Sequence, residues 1–312
     1  MVWNRIQKIN QSSGGIYGIA ADGNYMVLYL AERVIVIYER EKSGRWTEKK
    51  RIEQDLGGGV GQQTRFIDIS GNTIVFIDLT QNMIVWYLRN KKGDWVENCR
   101  ITNSDISGGS SVAISGNYTL LGCDGADKIY FYLKDSKGVW REKQIIPGTP
   151  PFCSMIDIDG NYAVSTGAST GEKVFFYERK KNGAWSLVQT LNFDVIKTTI
   201  SGNYAIISGD SNTSDLYERQ KDGIWRLMKT INRTLPGYKF TSIDGNYAVL
   251  SGGSNGTAVY IRDKQGSWQE DQIIKDSSNV NLSTPLTISG DYLFLATDSA
   301  SPIFVSIYQR QV

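Results

Sequence analysis

A glycine-centred turn recurs along the whole chain at a nearly constant interval. The dipeptide Gly-Asn or Gly-Asp occurs at Gly23, Gly71, Gly116, Gly160, Gly202, Gly245 and Gly290, at spacings of 42 to 48 residues. A tryptophan recurs with nearly the same period, at Trp3, Trp46, Trp95, Trp140, Trp185, Trp225 and Trp268. A period of roughly 40 to 50 residues made of short apolar strands is typical of a β-propeller with one blade per repeat.

The fourth repeat illustrates how one blade is expected to fold. Two apolar runs flank Asp159-Gly160 and predict a tight hairpin, because glycine accepts the positive φ that such a turn requires. A β-rich run then ends at Tyr177, and a second turn leads to Trp185. Each repeat therefore predicts four antiparallel strands, A to D. The constant A–B and C–D turns lie on one side of the disc, the fixed-turn face, and the variable B–C and D–A loops on the other, the variable face.

The C–D turn has the same composition in almost every repeat. A tyrosine lies eight residues before each of the last six tryptophans, and a basic residue follows that tyrosine by two. With the partial repeat at the chain end, these basic residues are Arg40, Arg89, Lys134, Arg179, Arg219, Arg262 and Arg310.

The two chain ends are predicted to complete one blade together. The last repeat ends after Tyr308 and lacks its tryptophan strand, whereas the segment Trp3–Ile9 resembles the tryptophan strand Trp225–Ile231. We expect residues 284–310 plus 1–9 to form the seventh blade, which closes the ring and pairs an otherwise exposed edge. The prediction is an all-β, seven-bladed propeller with four-stranded blades, as a single domain over residues 1–312.

The composition disfavours most enzyme classes. Of 312 residues none is histidine, which excludes Ser-His and Cys-His nucleophile pairs and imidazole metal ligands. We therefore expect no enzyme, no cofactor and no metal site.

The chain also carries signals about its compartment. Three cysteines cannot all pair, and neither an apolar leader nor a membrane span is evident, so we expect a soluble, intracellular protein. Six Asn-x-Ser/Thr sequons occur against about three expected by chance, and we give them no weight.

The repeat resembles the FG-GAP repeats of integrin-α-type seven-bladed propellers over the whole chain. The likeness lies in Ile200–Ala205, Ile243–Ala248 and Gly167-Ala168. The Phe-Gly pair of that family is not evident. Its Asp-x-Asp-x-Asp-Gly calcium loop is also missing, and the nearest segment, Cys123–Asp127, has too few oxygens for calcium. The resemblance implies a propeller that binds proteins, with sugars as the ligands of some relatives.

The C–D turns gather positive charge on the fixed-turn face. They hold 16 of the 34 Lys and Arg but 8 of the 32 Asp and Glu. With Lys91 and Lys92, the seven basic residues of the turns are candidates to bind an acidic partner. The alternative is that they solvate the turns and discourage edge pairing. No basic–aromatic stacking motif supports nucleic acid.

The variable face offers a second candidate site. Its loops, among them Ser208–Ser214 and Ser251–Gly256, are rich in hydroxyl and amide groups. Four aromatic residues accompany them as a candidate glycan face: Tyr17, Phe152, Phe193 and Tyr238. The alternative is that Ser, Gly and Asn are simply residues that turns prefer.

Two carboxylates on inner strands are a third candidate. Asp68 and Asp157 near a central channel are candidates for the acid–base pair of a hydrolase, but such residues more often tie adjacent blades through backbone hydrogen bonds. We therefore predict a non-catalytic scaffold that binds protein, with a multivalent lectin as the alternative and a hydrolase third. The sequence does not identify the oligomeric state.

Overall fold

The computed structural model describes most of the chain. The described residues are 2–11, 15–31, 33–53, 66–107, 110–148, 153, 155–167, 173–193, 195–209, 213–232, 240–251, 256–275, 285–297 and 303–311, and the side chain of residue 196 is left out. All 28 strands fall into seven four-stranded antiparallel sheets, which confirms the predicted seven-bladed β-propeller. No helix among these residues has the length and apolar character needed to cross a bilayer.

The strands follow the predicted A-B-C-D order in each blade. Blade 1 contains β2 (Ile16–Asp22), β3 (Tyr25–Leu30), β4 (Val34–Arg40) and β5 (Trp46–Glu53). Blade 2 contains β6 (Ile67–Ser70), β7 (Thr73–Asp78), β8 (Met83–Arg89) and β9 (Trp95–Thr102). Blade 3 contains β10 (Ser111–Ser115), β11 (Tyr118–Cys123), β12 (Lys128–Lys134) and β13 (Trp140–Pro147), with a 3₁₀ turn at Asp124–Ala126. Blade 4 contains β14 (Met155–Asp159), β15 (Tyr162–Thr166), β16 (Lys173–Arg179) and β17 (Trp185–Asn192).

The remaining three blades repeat the same order. Blade 5 contains β18 (Val195–Ser201), β19 (Tyr204–Gly209), β20 (Thr213–Arg219) and β21 (Trp225–Asn232). Blade 6 contains β22 (Thr241–Asp244), β23 (Tyr247–Ser251), β24 (Thr257–Arg262) and β25 (Trp268–Ile274). Blade 7 contains β26 (Leu286–Ser289), β27 (Tyr292–Ala296), β28 (Phe304–Gln311) and β1 (Val2–Asn10).

The chain ends meet as predicted. Strand β1 pairs antiparallel with β28, from Val2 opposite Gln311 to Asn10 opposite Phe304. The seven inner A strands contact their neighbours around a complete ring, including β2 with β26. The first and last segments of the sequence therefore close the disc.

A ring of hydrogen bonds circles the axis on the fixed-turn face. Each turn glycine donates its backbone N–H to the Ser or Asp side chain of the preceding blade's turn, over 2.6 to 3.1 Å. In order from Gly23 to Gly290, the acceptors are Ser289, Asp22, Ser70, Ser115, Asp159, Ser201 and Asp244. The single Ser/Asp-Gly dipeptide of each repeat thus has two roles. It turns the chain between strands A and B, and it joins two blades through hydrogen bonds.

A β-bulge lets each outer strand D contact both neighbouring blades. All seven C–D pairs shift register at the same point, for example between Trp86 and Tyr87 opposite β9. One extra residue in a strand reverses which side the following side chains face. The repeated Trp before the bulge therefore packs on the preceding blade, and the residue four positions later faces the following blade.

This later residue clamps the backbone of the next tryptophan. Gln144 accepts a hydrogen bond from the Trp185 N–H at 2.8 Å and donates one to its carbonyl at 2.8 Å. Three other glutamines bind their tryptophans in the same two-bond manner: Gln7, Gln189 and Gln272. Lys50 and Lys229 instead donate to the carbonyl, and Cys99 occupies the position between blades 2 and 3.

The interface between blades 2 and 3 is packed differently. The tyrosine that begins strand B in the other six blades is replaced by Thr73, which is too short to reach the next tryptophan, Trp140. Trp86 stacks on Trp140 instead, at 5.2 Å between ring centroids and 12° between planes, and its indole N–H donates to Thr119. Phe131 and Phe176 stack on the next tryptophan from the equivalent position although their blades have the tyrosine. The eighth tryptophan, which lies outside the repeated series, thus covers Trp140 with a larger ring where the tyrosine is missing.

The three cysteines are unpaired, and two of them lie in the core. Cys123 and Cys153 are buried, whereas Cys99 is half-buried. Burial raises the pKa of the Cys123 thiol from 9.0 to about 12 and also raises the pKa values of Cys153 and Cys99. The thiolate is the reactive form, so the core cysteines should react slowly.

We expect the three cysteines to react with an alkylating reagent at different rates. A rise from 9.0 to about 12 lowers the thiolate fraction of Cys123 roughly a thousandfold at pH 8. Iodoacetamide applied to the native protein at pH 8 should therefore label Cys99 first, as read by peptide mass spectrometry. In denaturant the three rates should become equal, and equal rates in the native protein would contradict this burial.

Candidate functional site

The seven repeated basic residues of the fixed-turn face lie between blades. Six arginines lie over the tyrosine that begins strand B of the preceding blade, at 4.4 to 5.6 Å from guanidinium carbon to ring centroid. The pairs, arginine first, are Arg40–Tyr292, Arg89–Tyr25, Arg179–Tyr118, Arg219–Tyr162, Arg262–Tyr204 and Arg310–Tyr247. Each of these tyrosines also meets the edge of a repeated tryptophan. Such stacks stabilise the interface between blades.

The seventh basic residue, Lys134, lies at the differently packed interface between blades 2 and 3. Lys134 faces Thr73, where the tyrosine is missing, and its ammonium lies 5.5 Å from the Trp140 ring centroid. Burial lowers the pKa of Lys134.

Preceding-blade glutamates fix the orientation of three arginines. Arg89, Arg219 and Arg262 form 3.1 Å ion pairs, and the partners are Glu39, Glu178 and Glu218 respectively. Where no such glutamate precedes it, the arginine binds the asparagine or aspartate of its own A–B turn and the tyrosine hydroxyl, as Arg40 does with Asn24 and Tyr292. The repeated cations therefore have a structural use that the sequence did not show.

The other two candidate cations of this face remain accessible. Lys91 and Lys92 are exposed at the tip of the C–D turn of blade 2. Binding of an acidic partner by the basic residues stays a prediction. The exposed lysines of the turn tips are the side chains that it now depends on most.

The candidate glycan residues do not form one surface among the described residues. Tyr17 lines the mouth of the axial channel on the variable face, together with Phe66 and Phe240. Phe193 is half-buried against the core between blades 4 and 5. Phe152 and Tyr238 lie outside the described residues, as do large parts of the serine-rich loops. The described part of this mouth has room for about 40 Å³, little more than one water molecule.

The two inner-strand carboxylates bind backbone of the next blade. Asp68 accepts a hydrogen bond from the Ile114 N–H at 2.8 Å, and Asp157 accepts one from the Ile200 N–H at 2.9 Å. Asp157 also accepts from the Ile158 N–H. Both carboxylates therefore hold neighbouring blades together, which is the alternative to acid–base catalysis that the sequence offered.

The axial channel opens on the fixed-turn face as an acidic cup. We define the axial cup by its five carboxylates, which are Asp22, Asp68, Asp157, Asp159 and Asp244. Serines and threonines make up half of the other described lining residues, and no lysine or arginine lies among them. The cup has a volume of about 170 Å³, roughly four times that of the opposite mouth. The fixed-turn face is thus acidic at its centre and basic around it.

The acidic side chains of the cup affect one another. The pKa of Asp159 is raised, first by burial and then by the neighbouring charges of Asp157 and Asp244, although the Gly202 N–H opposes the shift. A carboxylate in this position is more costly to ionise than one in water. A cation in the cup would relieve that cost.

Sequence reasoning missed this convergence although its signal was present. In the sequence, Asp22-Gly23, Asp159-Gly160 and Asp244-Gly245 predict hairpin turns, and Asp68 and Asp157 stand out as a separate pair. Because inner strands of all blades meet at one axis, aspartates at equivalent positions of distant repeats approach each other.

No protein-family profile and no curated protein matches the sequence. Among solved structures, the WD40 repeats of RRP9 superpose with a TM-score of 0.69 at 10% identity over 98% of both chains. A protein from Lactobacillus plantarum gives 0.65 at 13% identity over 85% of this chain and 86% of its own. A putative 6-phosphogluconolactonase from Bacteroides uniformis gives 0.64 at 12% identity, over 86% and 88%. At such identities the likeness establishes the seven-bladed propeller and leaves the function open.

Proposed function

We propose that this chain is a non-catalytic scaffold that binds a protein partner through its fixed-turn face. The observation that carries the proposal is the axial cup, an open acidic depression of about 170 Å³ at the centre of this face. Exposed lysines of the C–D turns surround it, so the face offers complementary patches for both charge signs of a polypeptide.

The contacts that the polar side chains make support a binding role rather than catalysis. Asp68 and Asp157 are held by backbone N–H groups, and the repeated arginines are held by tyrosines and glutamates. Neither set leaves a nucleophile beside a base, and the chain has no histidine. Hydrolytic turnover that disappears in Asp68→Asn or Asp157→Asn would contradict this proposal.

The similar structures are compatible with this function but do not select it. They include WD40 repeats and putative lactonases. Membership of the FG-GAP family is likewise our proposal, supported by the repeated Ile-Ser/Asp-Gly-Asn-Tyr-Ala motif. An intracellular location is supported by three unpaired thiols.

Site-specific photo-cross-linking tests which face meets a partner. A benzophenone amino acid replaces exposed Lys137, at the tip of a C–D turn on the fixed-turn face. The matched control carries it at exposed Gln81, in a B–C turn on the variable face. We expect Lys137 to cross-link a discrete protein in extract of the native source and Gln81 not to. Cross-links from Gln81 alone, or none from Lys137, would refute the proposal.

Carbohydrate binding on the variable face is the second candidate. Tyr17, Phe66 and Phe240 line the mouth there, together with the polar residues Lys197 and Ser242. Sugars bind where aromatic rings lie beside hydroxyl partners. A glycan array gives the test: hits that are lost in Tyr17→Ala would favour a lectin, and an array without hits would eliminate it.

A further inference from the structure

The outer strand D of blade 4 is a sheet edge without the usual protection. An edge strand presents a row of unpaired N–H and C=O groups to any other strand, and proteins commonly block such edges with charged side chains. Six of the seven outer strands carry at least two charged residues each, whereas β17 (Trp185–Asn192) carries none. The β-bulge occurs in all seven, so charge is the protection that β17 alone lacks.

The side chains of β17 suit pairing with a further strand. Leu187 is 51% exposed, and Thr190 and Asn192 are exposed beyond the bulge. Residues 184–193 contain no charge, proline or glycine, which is the composition of segments that pair edge to edge. Among the described residues, no strand lies against the outer side of β17. At the position of Leu187, two residues after the repeated tryptophan, five of the other blades have a charged residue: Arg5, Glu48, Glu97, Glu142 and Glu270.

A second copy of this chain is the occupant that the charges favour. Two copies related by a twofold axis would pair the same strand antiparallel with itself. Every charge on the strand would then occur twice at the junction, which disfavours self-pairing of the other six outer strands. β17 brings only uncharged side chains to such a junction. A charged partner strand, in contrast, would find no complementary charge on β17.

We propose that this protein forms a twofold dimer in which β17 of one copy pairs antiparallel with β17 of the other. The two four-stranded sheets of blade 4 become one continuous sheet across the dimer. The strand has eight residues, fewer than the roughly 20–30 residues a side of a standard interface, so the dimer is weak, with a Kd of about 10 µM or more. The inference is independent of the proposed function, because β17 lies on the outer rim and leaves the fixed-turn face free.

Sedimentation velocity on the purified protein, with one matched pair of variants, tests the dimer. Between about 2 and 200 µM, we expect the sedimentation coefficient to rise from that of a monomer towards that of a dimer. Leu187→Lys places two like charges at the junction and should weaken the dimer at least about tenfold. Leu227→Lys is the control, since Leu227 is 50% exposed at the equivalent position of β21, beside Arg226 and Lys229. A monomer at every concentration, or equal losses in both variants, would overturn the inference.

Cysteine cross-linking locates the twofold axis. Single cysteines replace Leu187, Thr190 or Asn192 in a Cys99→Ser background, and a short bismaleimide joins those that lie opposite their own copy. The controls carry cysteine at the equivalent exposed positions of β21, which are Leu227, Thr230 and Asn232.

The pattern of cross-links decides between strand pairing and a less specific contact. Because only residues near the axis of an antiparallel pair face themselves, we expect strong cross-linking at one position of β17, weaker cross-linking at its neighbours and none in β21. No cross-linked dimer from β17, or equal yields from both strands, would contradict pairing through this edge. Thermal melts of all variants should match the parent protein, since every substituted strand residue is exposed.

Discussion

Deletion of residues 1–9 should lower the melting temperature by about 10 °C or more. The deletion removes β1 from blade 7, leaves β28 as an unpaired edge and takes away Trp3, which is 2% exposed. Loss of one buried tryptophan alone costs about 3–5 kcal/mol, and each kcal/mol corresponds to about 2–4 °C in a chain of this size. The clamps Gln7–Trp46 and Gln272–Trp3 are lost with it, so two interfaces weaken together.

Two single substitutions in β1 distinguish the loss of ring closure from a general weakening of the strand. Trp3→Ala should lower the melting temperature strongly, whereas Asn4→Ala, at an exposed neighbouring position of β1, should change it by about 1 °C or less. Differential scanning calorimetry reads both. If the protein without residues 1–9 melts as the full chain does, the ring is not closed by its ends.

Replacement of Trp86 by valine should destabilise the fold by about 3 kcal/mol or more. The side chain is fully buried, stacks on Trp140 and donates to Thr119, and valine would leave both a cavity and an unpaired hydroxyl group. Denaturant unfolding measures the free energy. Phe176→Val, at the equivalent position of blade 4, provides the comparison, and it should cost less because Tyr162 also covers the next tryptophan there.

A triple variant tests the reason for this difference. Thr73→Tyr, Trp86→Val and Lys134→Arg together recreate the tyrosine–arginine packing of the other six interfaces. We expect the triple variant to recover at least about 1 kcal/mol relative to Trp86→Val alone. A triple variant less stable than the single one would show that Trp86 does not substitute for the missing tyrosine.

The fold was predictable because its determinants recur in the sequence. The glycine turns and the tryptophans repeat at one period, so blade number, strand order and closure by the N-terminal strand all follow from counting. The seven tyrosine-linked cations were also found, but as surface charges. Six of them lie against tyrosines of the preceding blade and Lys134 lies against Thr73, and such contacts between blades are not contained in a one-dimensional pattern.

The candidate site was harder to predict for a similar reason. Asp22, Asp159 and Asp244 lie in turns of three different blades, and each appears in the sequence as an ordinary turn residue. Only closure of the ring brings them to one axis beside Asp68 and Asp157. Counting charges by turn type therefore predicted a basic face and overlooked its acidic centre.

Amide chemical-shift mapping tests the central claim, that ligands are recognised around the axis of the fixed-turn face. The turn glycines Gly23, Gly71, Gly160, Gly202 and Gly290 each donate to a neighbouring turn and so report on the rim of the cup. Titration with the partner protein captured at Lys137 should shift these amides and leave Thr80 and Gln81, on the variable face, unchanged. Shifts confined to the variable face or to the outer strands, with the turn glycines unmoved, would contradict the claim.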